Sequence, residues 1–417
     1  MDREALVYAD LNGQTHLVGR LWARSSKNRE SATFEYDAGW LEHPERFSLE
    51  PALKLGPGPF HTTADLPMFG AVGDSAPDRW GRTLMRRMER RRAERESSTP
   101  RTLSEMDYLL LVDDEVRQGA LRFANHEGGP FLREDADKRV PPLIGLSKLL
   151  SATERVIEDK DTDEDLRLLL AAGSSLGGAR PKASVRDKNG RLAIAKFPRK
   201  DDEYNTVAWE AVSFSLATKA GIAAPAVDLV EVAGKPVLLV RRFDREGTTR
   251  IPFLSAMSML GAKDNETRSY LEIVDALRQH SAAPKADMVA LWRRVVFYIL
   301  ISNTDDHLRN HGFLYQGQEG WRLSPAYDLN PVPVDIKPRV LATAINEDDA
   351  TASLSLAMDV AEYFELDSKK AKRIATEVGK AVSQWRNEAA HLGLSKSEVE
   401  RMASAFDHPD LRTALGK

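Results

Sequence analysis

Residues 5–42 alternate apolar and polar positions as strands do, whereas nearly everything after residue 251 has a helical pattern. Residues 5–11 and 16–22 are largely apolar and flank Asn12-Gly13, a dipeptide that favours a tight hairpin turn. Residues 33–36 supply a third strand. We therefore predict a β-rich region at the start of the chain and a helical region at its end.

The middle of the chain switches between strand and helix patterns. Residues 182–198 and 227–243 are each predicted to form a strand pair, with a helix over residues 205–220 between them. A polar stretch with several glycines and prolines, residues 125–142, separates this part from the β-rich start. We predict a junction between two lobes there.

Composition narrows the class of protein. The 417 residues are too many for one small core, and 42% hydrophobic with 29% charged residues is ordinary for a globular protein. The absence of cysteine excludes disulfides and thiolate chemistry. The chain start lacks a signal-peptide profile and no apolar run is long enough to span a membrane, so we expect a cytoplasmic protein without membrane contact. The net charge of -4 argues against a surface coated for nucleic acid.

One polar loop carries the clearest chemistry. Asp305 and Asn310 stand in D-x-x-x-x-N spacing, between a buried helix predicted over residues 290–302 and a hairpin over residues 312–323, and Asp328 follows the hairpin. Kinase catalytic loops use an acid to accept a hydroxyl proton and an amide oxygen on a metal, with a later acid on Mg²⁺. We predict Asp305 as the catalytic acid-base group and Asn310 and Asp328 as magnesium ligands.

Two neighbours of Asp305 leave alternatives open. Asp306 is a second possible ligand or helper, and His307 is expected to order the loop and lie near the nucleotide. Asp-rich loops are often plain turns, and this loop differs from a plain turn in the helix and hairpin that frame it.

Several segments along the chain resemble the HipA family of bacterial serine/threonine kinase toxins. The resemblance covers roughly Val7 to Pro331 and rests on these motifs in addition to the loop: Phe34-Glu35-Tyr36-Asp37, Asp74-Ser75-Ala76-Pro77-Asp78-Arg79-Trp80-Gly81-Arg82, Gly119-Ala120-Leu121-Arg122-Phe123, Ser175-Leu176-Gly177-Gly178-Ala179-Arg180-Pro181-Lys182 and Ser324-Pro325-Ala326-Tyr327-Asp328. From about residue 336 onward only helical patterns are recognisable.

The resemblance implies an α+β, bilobal protein-kinase-like fold with a β-rich N-terminal part and an all-helical C-terminal lobe. It implies three parts: a β-rich subdomain over residues 1–125, an ATP-binding part over 126–245, and a helical lobe over 246–417. It also implies ATP and Mg²⁺ as cofactors, and Ser175 as an autophosphorylated residue whose phosphate would switch the enzyme off. Ser174 stands beside it, so the modified position is open by one residue.

The predicted nucleotide contacts lie in three places. Lys196 ends an apolar strand and falls on the family's ATP-contacting lysine, with Glu210 as its proposed partner; the alternative is a lysine that reaches water from a strand end. The other predicted contacts are the glycine-rich loop residues Ser174, Ser175, Gly177, Gly178 and Lys182, and Val240, Arg242 and Phe243 where a kinase hinge would face adenine. Asp244 and Arg245 are expected to form surface ion pairs of little energetic value.

An arginine-rich helix is predicted over residues 78–96, with eight arginines from Arg79 to Arg95. We expect mainly a solvated face with i,i+4 ion pairs, the alternative being contact with DNA phosphates. Trp40 and Trp80 are expected in the core. The resemblance implies a small helix-turn-helix antitoxin (HipB-like) as partner, operator DNA bound through that complex, and an aminoacyl-tRNA synthetase as protein substrate. A non-catalytic corepressor and a small-molecule kinase remain competing functions.

Overall fold

The computed structural model describes residues 3–26, 29–63, 65–132, 140–173 and 178–417. The chain forms two compact units. The first contains Met1–Lys200, Glu231–Lys235 and Leu239–Leu254, and the second contains Asp201–Val230, Pro236–Leu238 and Ser255–Lys417. The division into three parts stays a prediction.

Twelve of the fourteen strands in the described ranges end at or before residue 255. They are β1 Arg3–Leu11, β2 Gln14–Ser26, β3 Arg29–Tyr36, β4 Pro59–His61, β5 Leu121–Ala124, β6 Lys182–Arg186, β7 Leu192–Lys196, β8 Val227–Val232, β9 Lys235–Arg241, β10 Arg245–Glu246, β11 Thr249–Arg250, β12 Phe253–Ser255, β13 Gly312–Tyr315 and β14 Trp321–Leu323.

The helices dominate the second half. They are α1 Ala38–Glu42, α2 Gly70–Gly73, α3 Arg79–Arg95, α4 Glu105–Leu111, α5 Leu146–Ile157, α6 Asp163–Ala171, α7 Thr206–Lys219, α8 Ala256–Met259, α9 Tyr270–His280, α10 Pro284–Ile301, α11 Leu354–Asp359, α12 Ser368–Val382, α13 Trp385–His391, α14 Lys396–Arg401, α15 Ala403–Phe406 and α16 Pro409–Ala414. No helix in the described ranges is both long and apolar enough to cross a membrane.

The first unit is built on a five-stranded antiparallel sheet in the order β4-β3-β2-β1-β5. Its β1–β2 hairpin turns at Asn12 and Gly13, whose φ angles of 53° and 79° are the left-handed values that a two-residue hairpin loop requires. The predicted hairpin is thereby confirmed. Trp40 and Trp80 are 1% and 6% exposed, which confirms them as core residues. A four-stranded sheet has the order β6-β7-β9-β8.

The second unit has α10 at its centre. Its residues from Val295 to Ile301 are all at most 1% exposed, and α9, α11 and α12 pack around the helix. In the C-terminal region, where only helical patterns were recognisable, Trp385 stacks on Phe406 with ring centroids 4.7 Å apart, and Trp209 of α7 lies against both. The aromatic rings of α7, α13 and α15 therefore form one buried cluster in the second unit.

Candidate active site

The polar loop begins where α10 stops. Ser302 adopts a left-handed backbone with φ of 53°, which a non-glycine residue rarely does and which ends the helix at once. Its hydroxyl donates to the carbonyl of Ala405 (2.8 Å), and its own carbonyl accepts from the N–H of Val332 (3.1 Å). The start of the loop is therefore held by two segments that lie later in the chain.

Hydrogen bonds from two asparagines shape the loop. Asn303, 1% exposed, accepts from the N–H of Asn330 through Oδ1 (3.2 Å), and Asn310 donates from Nδ2 to the carbonyl of Asp305 (3.2 Å). The Asn310 bond uses the amide nitrogen, which leaves the amide oxygen outside that bond. That oxygen is the atom a hard cation would take.

Asp305 and Asp306 have opposite environments although they are adjacent. The Asp305 side chain is 70% exposed and lies 3.6 Å from the ammonium of Lys337. Asp306 is fully buried, and its Oδ2 accepts from the hydroxyl of Tyr270 (2.6 Å) and lies 2.7 Å from Nε2 of His311. Oδ2 of Asp306 is therefore occupied by protein partners and Oδ1 is buried without a hydrogen-bond partner, so the alternative of Asp306 as a ligand or helper stays a prediction and is disfavoured by this burial.

Tyr270 of α9 and Tyr298 of α10 lie on the buried side of the loop, where both rings pack edge-on against His311. Burial, reinforced by the charge of Asp306, raises the pKa of Tyr270 and of Tyr298 well above the usual value, so both phenols stay neutral. A neutral phenol is the form that donates a hydrogen bond, as Tyr270 does to the Asp306 carboxylate (2.6 Å).

The segment with Asp328 is tied to the same loop on both sides of that residue. Tyr327 donates its hydroxyl to the carbonyl of Arg309 (2.7 Å), and Asn330 donates its N–H to Asn303. Asp328 itself has a left-handed backbone with φ of 56° and is partly exposed. The structure thus brings the Asp328 segment to the loop with Asp305 and Asn310, while the roles of all three stay predictions.

The predicted magnesium ligands are one amide and one carboxylate. Among the described residues, no group of three or more histidine, aspartate or glutamate side chains could hold a metal by itself. Two oxygen ligands nevertheless fit Mg²⁺, which usually keeps several waters and takes its other oxygens from a nucleotide.

His307, predicted near the nucleotide, is partly buried in the same loop, and its N–H donates to the carbonyl of Asp305 (3.0 Å).

The predicted phosphate contacts lie partly outside the described residues, namely at Ser174, Ser175 and Gly177. Gly178 has φ of 88°, a value that favours glycine. Lys196 ends β7 in register with Lys182 of β6. The Lys182 ammonium, 4% exposed, pairs with Oδ2 of Asp78 (3.0 Å). Lys182 therefore already has an acidic partner, and its phosphate contact stays a prediction, as does the contact of Lys196.

The residues predicted to form the adenine-facing hinge lie in and beside a buried ion-pair cluster. Val240 and Arg242 are both 4% exposed, and Phe243 is partly buried with its ring 6.4 Å from that of Phe253. The Arg242 guanidinium donates to both oxygens of Asp244 (2.8 and 2.5 Å) and to the carbonyl of Val116 (2.6 Å). Since that side chain is already paired, the predicted adenine contact of Arg242 now depends on main-chain atoms.

Our expectation of a weak surface pair at Asp244 and Arg245 is wrong. Asp244 is 3% exposed and accepts from Arg242, from Arg245 (2.8 Å) and from the N–H of Gly119 (2.8 Å). Burial alone would raise the pKa of Asp244, but Arg242 and Arg245 hold it well below its usual range. Removing one member of this cluster would leave an unpaired buried charge.

The arginine helix α3 pairs mostly with other elements. Arg82 forms two bonds to Glu105 (2.5 and 2.6 Å), and Arg87 contacts Asp161 and Asp159, both at 2.5 Å. Arg92 also pairs within its own helix with Glu89 (i,i+3, 2.7 Å) and, at the helix end, with Glu96 (i,i+4), so the expected i,i+4 pattern describes the minority of the contacts that the structure describes. The exposed arginines Arg79, Arg86 and Arg90 are spaced so that they share one helix face.

Comparisons with known proteins agree with this architecture. The family model described as "HipA-like C-terminal domain" matches residues 174–385, just over half of the chain. A Sinorhizobium fredii protein named "Putative kinase Y4mE" is 24% identical over 93% of this chain and 94% of its own length. A Haemophilus influenzae protein named "Putative kinase" is 24% identical over 46% of this chain and 64% of its own length.

A solved structure shows the fold. HipA of Shewanella oneidensis, determined in complex with HipB and its operator DNA, superimposes with a TM-score of 0.65, covering 98% of this chain and 96% of that one at 17% identity. The predicted fold class, a mixed α and β kinase-like fold, is thereby confirmed. The part over residues 246–417 is not all helical, however, because β12, β13 and β14 pair into a three-stranded sheet.

Proposed function

We propose, because the chain belongs to the HipA-like family, that it is an ATP-dependent serine/threonine protein kinase. The observation that supports this most directly is the difference in exposure between the adjacent residues Asp305 and Asp306. Asp306 is fixed inside the protein, whereas the neighbouring Asp305 carboxylate is 70% exposed and can be reached by a hydroxyl group of another molecule. An exposed acid on a rigid loop is what transfer to a protein side chain requires.

The reaction needs little covalent chemistry from the protein. Asp305 accepts the proton of the serine or threonine hydroxyl while that oxygen forms a bond to the γ-phosphorus. The bond from this phosphorus to the β–γ bridging oxygen breaks, and ADP leaves with the electron pair. Asn310 and Asp328 would hold Mg²⁺, which when bound neutralises the phosphate charge. Lys196, with Glu210 as predicted partner, and the glycine-rich loop are proposed to orient the phosphates.

The test of this function is Asp305→Asn. The variant keeps the size of the side chain but removes the proton acceptor, so we expect phosphate transfer to fall about 10³-fold with folding unchanged. Transfer from γ-labelled ATP to the proteins of a cell lysate is the measurement, and a single labelled band lost in the variant is the expected result. Asp359→Asn, at an exposed position of α11, is the matched control. Near-normal transfer by folded Asp305→Asn would remove the proposal.

The substrate and the self-modification are finer proposals. The resemblance supports a translation component, an aminoacyl-tRNA synthetase, as the target, and Ser175 as the autophosphorylated residue. A phosphoserine brings nearly two negative charges, which would compete with the ATP phosphates for the same N–H groups. Phosphopeptide mapping after incubation with ATP tests this, and an active preparation without phosphate on Ser174 or Ser175 would refute it.

A DNA-bound complex is the second function that an observation favours. HipA of Shewanella oneidensis was solved with HipB and operator DNA. We propose a HipB-like helix-turn-helix antitoxin as partner of this chain, with the shared face of Arg79, Arg86 and Arg90 available to DNA phosphates. A pure corepressor would bind the antitoxin and operator DNA but would not turn over ATP. Comparing ATP turnover by the unsubstituted protein and by Asp305→Asn therefore separates a corepressor from a kinase. Label appearing in a small molecule and in no protein would indicate a small-molecule kinase.

A further inference from the structure

Residues 332–343, here called the bracing segment, run along the loop that contains Asp305. At its start the N–H of Val332 donates to the carbonyl of Ser302 (3.1 Å). At its end the hydroxyl of Thr343 donates to the carbonyl of Asp306 (2.7 Å). The segment is therefore anchored to the loop on both sides of its central residue, Lys337.

Lys337 makes the contact that reaches the proposed catalytic acid. Its ammonium donates to the carbonyl of Thr304 (3.0 Å) and lies 3.6 Å from Oδ1 of Asp305. The Lys337 side chain is 42% exposed, so this ion pair is screened by water and contributes little to folding. Its geometry is more informative than its energy, because the contact uses Oδ1 and leaves Oδ2 of Asp305 for a hydroxyl proton.

The backbone around Lys337 is held firmly. The carbonyl of Pro333 accepts from the N–H groups of Ile336 (3.0 Å) and Lys337 (3.2 Å). Arg339, two residues later, donates to the carbonyl of Ile299 (2.9 Å) and to the hydroxyl of Ser302 (3.2 Å). A lysine whose backbone is anchored in this way loses less conformational freedom on pairing with Asp305 than a lysine on a mobile loop would lose.

In the described part of the chain, no second basic side chain pairs with Asp305. The loop from Asn303 to Asn310 contains Arg309 but no lysine, and the Arg309 guanidinium pairs with Asp264 (3.1 Å). Among the described residues, Lys337 is the basic side chain within ion-pair distance of Asp305.

We propose that Lys337 is a positioning residue of the phosphoryl transfer: it holds the exposed Asp305 carboxylate in the rotamer that receives the substrate proton. This inference rests on the proposed kinase function. An exposed aspartate otherwise samples several rotamers, and a misplacement of about 1 Å at a reacting group costs on the order of 10²-fold in rate. Part of the region beyond residue 336 would thereby have a function, which is to position Asp305.

The experiment compares Lys337→Met and Lys337→Arg in the full-length protein, with Lys372→Met at an exposed position of α12 as control. We expect Lys337→Met to lower kcat about 10²-fold, to leave the KM for ATP within about twofold and to leave the unfolding midpoint unchanged. Lys337→Arg should recover most of the rate, because it keeps the charge. Full kcat in Lys337→Met, or a loss of rate that follows a loss of stability, would overturn the inference.

A double variant shows whether Lys337 acts through Asp305. In the Asp305→Asn background, Lys337→Met should not lower the residual rate further, because the group to be positioned has gone. An equal further loss would show an independent role and contradict the proposal. If Asp305→Asn is inactive and Lys337→Met is fully active, only this inference fails. If Asp305→Asn remains active, the proposed function itself fails.

Discussion

The two faces of one loop follow different physical rules. On the outer face Asp305 is 70% exposed and its charged neighbour Lys337 is 42% exposed. On the inner face Asp306 and His311 are both fully enclosed and joined at 2.7 Å, with the hydroxyl of Tyr270 on the same carboxylate oxygen. Polar contacts of the inner face should therefore determine stability, and those of the outer face should determine rate.

The largest expected stability effect is at Asp306. Asp306→Ala removes a buried acceptor and leaves the donors of Tyr270 and His311 unpaired, so we expect a loss of about 3 kcal/mol in the free energy of unfolding. Chemical denaturation is the measurement, and Asp305→Ala, one residue away on the outer face, is the matched control with an expected change below about 0.5 kcal/mol. Equal losses in the two variants would remove the distinction between the faces.

The contrast also explains what could be predicted from the sequence. The D-x-x-x-x-N spacing of Asp305 and Asn310 and the turn at Asn12-Gly13 are local patterns, in which the chemistry is written within a few residues. The sequence does not show which of Asp305 and Asp306 is buried, because one of the two partners of Asp306, Tyr270, lies far away in the chain and only the packing of α9 brings it close.

The buried cluster around Asp244 was missed for the same reason. Asp244 looks like part of a charged surface run, but it accepts from the N–H of Gly119, which belongs to a distant part of the chain. Lys337 has no motif of its own and reaches Asp305 only because the bracing segment folds back on the loop. The one available signal was the excess of prolines around it, Pro331, Pro333 and Pro338, which indicates a stiff segment.

A pH-dependent effect of intermediate size is expected behind the loop, at His408. Its Nε2 lies 3.1 Å from the carbonyl of Leu300 in α10, and burial, with Arg339 nearby, lowers the pKa of His408 to about 4. The unfolded chain therefore takes up this proton at a higher pH than the folded one. Stability from the neutral imidazole is complete above pH ~6.5 and is lost as the pH falls toward 4.

Between pH 7 and pH 5 this group alone should cost the native protein about 2 kcal/mol of unfolding free energy. His408→Gln keeps a donor for Leu300 but does not titrate, so its unfolding free energy should fall less over the same interval by that amount. Asp407 and Asp410 lie beside His408 and are present in both proteins, and their contributions largely cancel in the difference. Parallel curves for the two proteins would show that His408 is not the titrating group.

The smallest expected effect is at the phenol of Tyr270, and it tests whether the inner face acts as a network. Tyr270→Phe keeps the buried ring and removes only the hydroxyl that donates to Asp306, so we expect a loss of about 1 kcal/mol in the free energy of unfolding. Tyr363→Phe, at a tyrosine that is 48% exposed, should change almost nothing and serves as control. Combined with Asp306→Ala, Tyr270→Phe should cost less than it does alone, because the acceptor has already gone. Strict additivity in this cycle would mean that the 2.6 Å contact contributes nothing to stability, and the comparison of the two faces would then rest on burial alone.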